Sequence, residues 1–139
     1  RGGEIEIEES TENRELMDAT VFDLLKAYQS ILDTKTFEKD YEIEITEMSV
    51  TDRIQYILDI LNSSDSVTFE SFFTVLNSKQ EIIVTFLAIL ELMRLKLLRV
   101  QQGQHFETIR IYKAADQKTQ DAVLQEYQST IDLDSPKPL

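Results

Sequence analysis

The stretch SKQEIIVTFLAILELMRLKLLRVQQGQHFETIRIY, residues 78–112, decides the fold. Ser78 and Glu81 form the S-x-x-E pattern of a helix start, in which each side chain takes one backbone N–H that the first turn leaves unpaired. Ile82, Ile83, Val84, Phe86, Leu87, Ala88, Ile89, Leu90, Leu92, Met93 and Leu95 follow, leaving little polar surface over about four turns. A helix lying on the outside of a domain shows one apolar stripe, whereas one apolar all round is buried on more than one side. Leu98–Gln102 and Phe106–Tyr112 then alternate around Gly103-Gln104-His105, the pattern of two strands joined by a turn.

Working back from this stretch, Ser49-Val50-Thr51-Asp52 predicts the cap of a helix running to Leu61, with Ile54, Ile57, Leu58 and Leu61 on its inner face. Asn62–Asp65 ends it. Val67-Thr68 reads as a short strand, and Thr68 as the cap of a brief helix through Leu76 that packs with Phe69, Phe72 and Phe73. The order helix, short strand, helix, helix, strand, turn, strand describes a winged helix, a relative of the helix-turn-helix class. Upstream, Met17, Val21, Leu24, Leu25, Tyr28, Ile31 and Leu32 share one face of a helix predicted over Thr11–Leu32, whose first turn is acidic. Glu4-Ile5-Glu6-Ile7-Glu8 and Tyr41-Glu42-Ile43-Glu44-Ile45 alternate as strands do, but their charge equally suits solvated arms. Downstream, Asp116–Tyr127 can form one more helix before a frayed Ser135-Pro136-Lys137-Pro138. The expected fold class is mainly α with a small antiparallel sheet, a winged helix preceded by an amphipathic helix. The expected divisions are an acidic arm with a linker helix (1–45), the winged helix (46–113) and a tail (114–139).

Composition narrows the chemistry. The 139 residues are 42% apolar, enough for a core, and carry no cysteine and one histidine. Disulfides, thiolate catalysis and most zinc sites are excluded, and the lack of cysteine fits a reducing cytoplasm. No apolar run is long enough to cross a bilayer. Glycines at 2, 3 and 103 make no phosphate-binding loop. His105 has no nucleophile or metal-ligand spacing beside it, and the many carboxylates lie on solvated faces and arms. The expectation is a protein that is not an enzyme and holds no cofactor or metal. The net charge of −12 is uneven, with 17 acids and 6 bases in residues 1–65 but 9 acids and 8 bases in 66–139. Phosphate backbones repel such a chain as a whole.

A third helix that reads DNA needs polar and cationic side chains on its outer face. Here Lys79, Arg94, Lys96, Arg99, Arg110 and Lys113 outnumber Glu81, Glu91 and Glu107, yet the outer helical positions are aliphatic. At roughly 100° per residue, Ile82, Phe86, Ile89, Leu90, Met93 and Leu97 form the core face. Val84, Ala88, Leu92 and Leu95 form a second stripe nearly opposite. Either a partner protein binds that stripe, or the Ser49–Leu61 helix or the tail covers it; the same question attaches to the Met17–Leu32 face.

These residues resemble a known family. Val84-Thr-Phe-Leu-Ala-Ile-Leu-Glu-Leu-Met93, Leu98-Arg-Val-Gln-Gln102 and Phe106-Glu-Thr-Ile-Arg-Ile111 are similar to the C-terminal winged helix of segregation and condensation protein A, the bacterial kleisin. Val67-Thr-Phe-Glu-Ser-Phe72, Ser49-Val-Thr-Asp52 and, more loosely, Asp23-Leu-Leu-Lys-Ala-Tyr28 extend the likeness. Two positions depart from it. Lys96-Leu97 stands where the family often has a glycine-containing turn, and Glu107 stands at a common wing glycine. The resemblance implies a non-enzymatic subunit of a structural-maintenance-of-chromosomes (SMC) complex, cytoplasmic and nucleoid-associated, that helps close a ring around DNA during chromosome condensation and segregation. Val84, Ala88, Leu92 and Leu95 would meet the SMC ATPase head. Met17, Val21, Leu24, Leu25 and Tyr28 would meet a dimer of segregation and condensation protein B. DNA would be held only indirectly, and no membrane would be involved. The competing expectation is an acidic winged-helix transcription regulator that binds duplex DNA through Arg94, Lys96 and Arg99.

Overall fold

The computed structural model describes residues 17–18, 20–35, 47–76, 78–102 and 108–134. In chain order the elements are strand β1 (Met17–Asp18), helix α1 (Val21–Thr34), helix α2 (Glu47–Ser63), strand β2 (Val67–Thr68), helix α3 (Ser71–Thr74), helix α4 (Lys79–Arg94), strands β3 (Leu98–Gln102) and β4 (Ile109–Lys113), and helix α5 (Gln117–Asp134). The fold class is the expected one, mainly helical with a small antiparallel sheet. That sheet has the order β1-β3-β4-β2. Val100 pairs with Ile111, and the short outer strands pair Met17 with Gln102 and Val67 with Ile111.

Helix starts follow local chemistry. Ser78 Oγ accepts the Glu81 N–H at 3.0 Å and opens α4 as the sequence predicts. Thr68 Oγ1 accepts the Ser71 N–H at 3.2 Å ahead of α3. Two expected starts are corrected. The first helix begins at Val21 rather than Thr11, because Thr20 and Asp23 close a reciprocal capping box there. Thr20 N–H donates to Asp23 Oδ2 at 2.8 Å, and Asp23 N–H donates to Thr20 Oγ1 at 3.2 Å. Met17 and Asp18, expected to be helical, instead pair with the sheet edge. Helix α2 begins at Glu47, so Ser49 lies inside its first turn rather than ahead of it. The expected arms at 4–8 and 41–45, together with His105 and the wing tip at 103–107, lie outside the described residues.

One core joins the elements. Ile54, Ile57, Leu58 and Leu61 of α2 and Ile82, Ala88, Ile89 and Leu92 of α4 are essentially inaccessible. They pack with Phe69, Phe73, Leu97, Val100 and Ile111. Leu24 of α1 is equally buried in this cluster, so α1 lies against the winged helix. Lys35 Nζ pins its C-terminal end by donating to the carbonyls of Leu76 (2.7 Å) and Thr74 (3.2 Å). The segment after residue 113 is a longer helix than the predicted Asp116–Tyr127. Asp116 caps it by accepting the Thr119 N–H at 2.9 Å, and this hydrogen bond, with Lys113 nearby, holds the Asp116 carboxyl below its ordinary pKa. Gln120, almost fully buried, exchanges two hydrogen bonds with Asn62 (2.9 and 3.0 Å) and donates to the Ala115 carbonyl at 2.9 Å. A buried amide left unpaired is destabilising, so this match seats α5 on the end of α2.

Helix α4 ends in a turn that usually takes glycine. Lys96 has φ +61°, while Leu97 N–H donates to Leu92 O (2.9 Å) and Lys96 N–H to Met93 O (3.0 Å). That pair of bonds is a Schellman motif, and buried Leu97 and Leu92 supply its hydrophobic contact. A side chain at left-handed φ is disfavoured by about 1–2 kcal/mol. Lys96→Gly is therefore expected to stabilise the domain by roughly 1 kcal/mol, read as a higher urea midpoint; an unchanged or lower midpoint would contradict this account of the turn. Leu24→Ala should cost about 2–5 kcal/mol and lower the single unfolding transition of the whole domain. A loss confined to α1 would show that the helix is not part of the common core.

Candidate functional site

Helix α4 presents three faces, and the structure decides which of them is open. Ile82, Phe86 and Ile89 face the core on one side. Val84, Ala88 and Leu92, the expected exposed stripe, are also inside: Ala88 and Leu92 have no accessible surface, and Val84 retains 5%. Of that set only Leu95 stays half-buried. The physical reason is α2, which packs closely along α4 and whose residues Ser49, Asp52, Arg53 and Tyr56 border the same crevice as Val84. The stripe is therefore covered from within the chain, with α2 packed along α4 and Val123, Leu124 and Tyr127 of α5 against the same core. Thr85 is buried among them with its hydroxyl donating to Glu81 O at 2.7 Å.

The remaining face carries Ile83, Leu87 and Leu90, spaced i, i+4 and i+7. Leu87 is 38% exposed, and the other two are half-buried. Gln80 precedes this row, and the Arg94–Glu91 ion pair closes its far end. Sequence reasoning left Ile83 and Leu87 unassigned; its placement of Leu90 on the core face agrees with the half-buried Leu90 packing against the core. A full wheel of the helix contains the row, as the third apolar set once two others are buried.

Helix α1 divides the residues expected to meet a second subunit. Leu24 is buried, and Tyr28 stacks on Phe86 with ring centroids 4.1 Å apart and planes 12° from parallel. Burial pushes the Tyr28 phenol pKa up. Val21 and Leu25 remain 55% and 39% exposed. Phe22, which the sequence reading passed over, is 63% exposed beneath the Lys26 ammonium, 4.7 Å from its ring centroid. Met17 contributes its backbone to the sheet. Half-buried Leu32 packs against the core, so Val21, Phe22 and Leu25 are the exposed apolar residues of α1.

Among the described residues no group of His, Cys, Asp and Glu could hold a metal ion. The lowered pKa of Asp116 belongs to a helix cap. The crevice between α2 and the start of α4, about 540 Å³, is bordered by Arg53 and Tyr56, with the guanidinium 5.2 Å from the ring, and by the capping residues Ser78 and Glu81. No helix among the described residues is long and apolar enough to cross a membrane.

Comparison with known proteins agrees with the resemblance in the winged-helix segment. The family described as segregation and condensation protein ScpA matches residues 4–114. The chain is 35% identical over 105 residues to segregation and condensation protein A of Listeria welshimeri, covering 73% of this chain and 41% of that protein. The protein of the same name from Bacillus licheniformis is 36% identical over 98 residues (68% and 39% covered). That of Clostridium tetani is 30% identical over 112 residues (76% and 44% covered). The chain thus spans about two-fifths of the length of these relatives. On the match across most of its length and on these identities, the chain belongs to the segregation and condensation protein A family.

Proposed function

We propose that this chain is a non-enzymatic part of a bacterial SMC condensin-like complex, in which its winged helix docks on an SMC ATPase head and helps close a ring around DNA. Chromosome condensation and segregation would be the process it serves. The observation that carries this reading is the open face of α4. Where a base-reading helix would place donors and acceptors, this one offers Ile83, Leu87 and Leu90. Apolar side chains at i, i+4 and i+7 on a helix suit a protein partner. Because Val84, Ala88 and Leu92 are interior, the head-docking surface is assigned to this third face of α4. Val21, Phe22 and Leu25, exposed on α1, are assigned to a second subunit such as the segregation and condensation protein B dimer. ATP hydrolysis would stay with the SMC heads.

Calorimetry of the chain against its cognate SMC head tests this assignment. Leu87→Glu should weaken binding by at least about tenfold, the minimum for a residue worth about 1.4 kcal/mol at an interface, while leaving the melting temperature near its original value. Leu92→Glu should instead unfold the domain, because it places a charge in the interior. Full head affinity in a folded Leu87→Glu variant would reject the docking face. No affinity of the original chain for the head would reject the function.

A further inference from the structure

The hairpin is the one strongly basic region of an acidic chain. Lys96, Arg99, Arg110 and Lys113 are all exposed, and no acid occurs among the described residues from 95 to 114. The two strands alternate so that Leu98, Val100, Ile109 and Ile111 enter the core, which turns Arg99, Gln101, Arg110 and Tyr112 to the outer face. Arg99 lies opposite Tyr112 and Gln101 opposite Arg110, so the two arginines are diagonal neighbours about 7–8 Å apart. The Arg99 guanidinium sits 5.7 Å from the Tyr112 ring, and Arg110 Nη1 donates to Ser66 Oγ at 3.0 Å. Acids flank this strip: Glu107 lies in the hairpin's sequence, and Asp23 and Glu70 border a pocket with Gln102 and Ile109. Asp18 takes the register position across from Gln101, and Asp116 is close enough to Lys113 to feel its charge. Lys96 extends the strip past the start of β3.

We infer that this outer sheet face is a weak, sequence-independent contact for the phosphates of a nucleic-acid duplex. Charge complementarity points to phosphate. Protein interfaces also favour Arg and Tyr, but they centre on apolar area, which the described residues of this face lack apart from the Tyr112 ring. Among the described residues the large exposed apolar side chains lie instead on α1, α2 and α4 and at Val75. Guanidinium groups interleaved with a tyrosine offer ionic contacts to backbone phosphates without reading bases. The contact is separate from head docking, since it uses the sheet and not the open face of α4. Within a closed ring it would act on DNA already held nearby, where a high effective concentration makes weak affinity sufficient.

The test is fluorescence anisotropy of a labelled DNA duplex titrated with the full chain at 50–200 mM salt. Three or four phosphate contacts give a log–log salt slope of about −3, a roughly 50-fold weakening over that range. Arg99→Gln and Arg110→Gln should each flatten the slope by about 1, on any duplex sequence, while Leu87→Glu changes nothing. Absence of saturable binding at 50 mM salt, or an unchanged slope in both arginine variants, would overturn the inference. Loss of SMC-head affinity in those variants with DNA binding intact would also overturn it, and would make the face a dock for an acidic protein surface.

Discussion

Helix α4 has almost no polar surface along its length, and the rest of the domain is arranged to keep it out of water. Burying a side chain such as Ile82 or Leu92 contributes about 1.5–3 kcal/mol, and seven of its sixteen residues are buried. One neighbour cannot cover so much circumference. The apolar stripe of α2 takes one side, the sheet and the phenylalanines around α3 take another, and Tyr28 of α1 lies over Phe86. The sharp exit at Lys96 follows from the same constraint. Leu97 must fold back against Leu92 so that β3 can start immediately beside the helix it helps to bury. The chain accepts a lysine in a left-handed conformation to make that turn.

Much of this was legible in the sequence because it rests on local rules. Ser78 had to cap something, and an apolar run behind it could only be a buried helix. The alternation of Leu98, Val100, Ile109 and Ile111 set the inner face of the hairpin, and Thr68 marked the start of α3. What stayed illegible depends on which distant element covers which surface. Two apolar stripes on α4 look equivalent on a wheel; only the packing of distant elements shows that Val84, Ala88 and Leu92 are interior and that Leu87 stays exposed. Strand β1 has two residues and no pattern of its own, since its ladder is supplied by Gln101 and Gln102. The Asn62–Gln120 pair joins residues 58 apart, and nothing near either one announces the other. Thr20 and Asp23 were a readable signal, masked by the longer amphipathic pattern in which they sit.

Helix α1 shows why a face and a partner are different inferences. Its apolar residues span more of the circumference than a single contact surface needs. Leu24 and Tyr28 are used to hold the helix on the domain, and Val21, Phe22 and Leu25 are left over. Domains seldom leave contiguous apolar area in water without a binding role, and Val21, Phe22 and Leu25 are such a surplus on α1.

Charge follows the same division of surfaces. The helices that carry or flank the apolar docking area are balanced or acidic, while the hairpin concentrates Lys96, Arg99, Arg110 and Lys113. Acidic helices repel phosphate over distances of about a Debye length, near 8 Å at physiological salt, so a duplex approaching this domain is deflected from the helices and tolerated only along the sheet. A winged helix of this charge pattern can therefore keep its helical surface for protein while DNA passes close by. Reversing the pattern, with a basic α4 and an acidic hairpin, would draw phosphate onto the apolar row of α4.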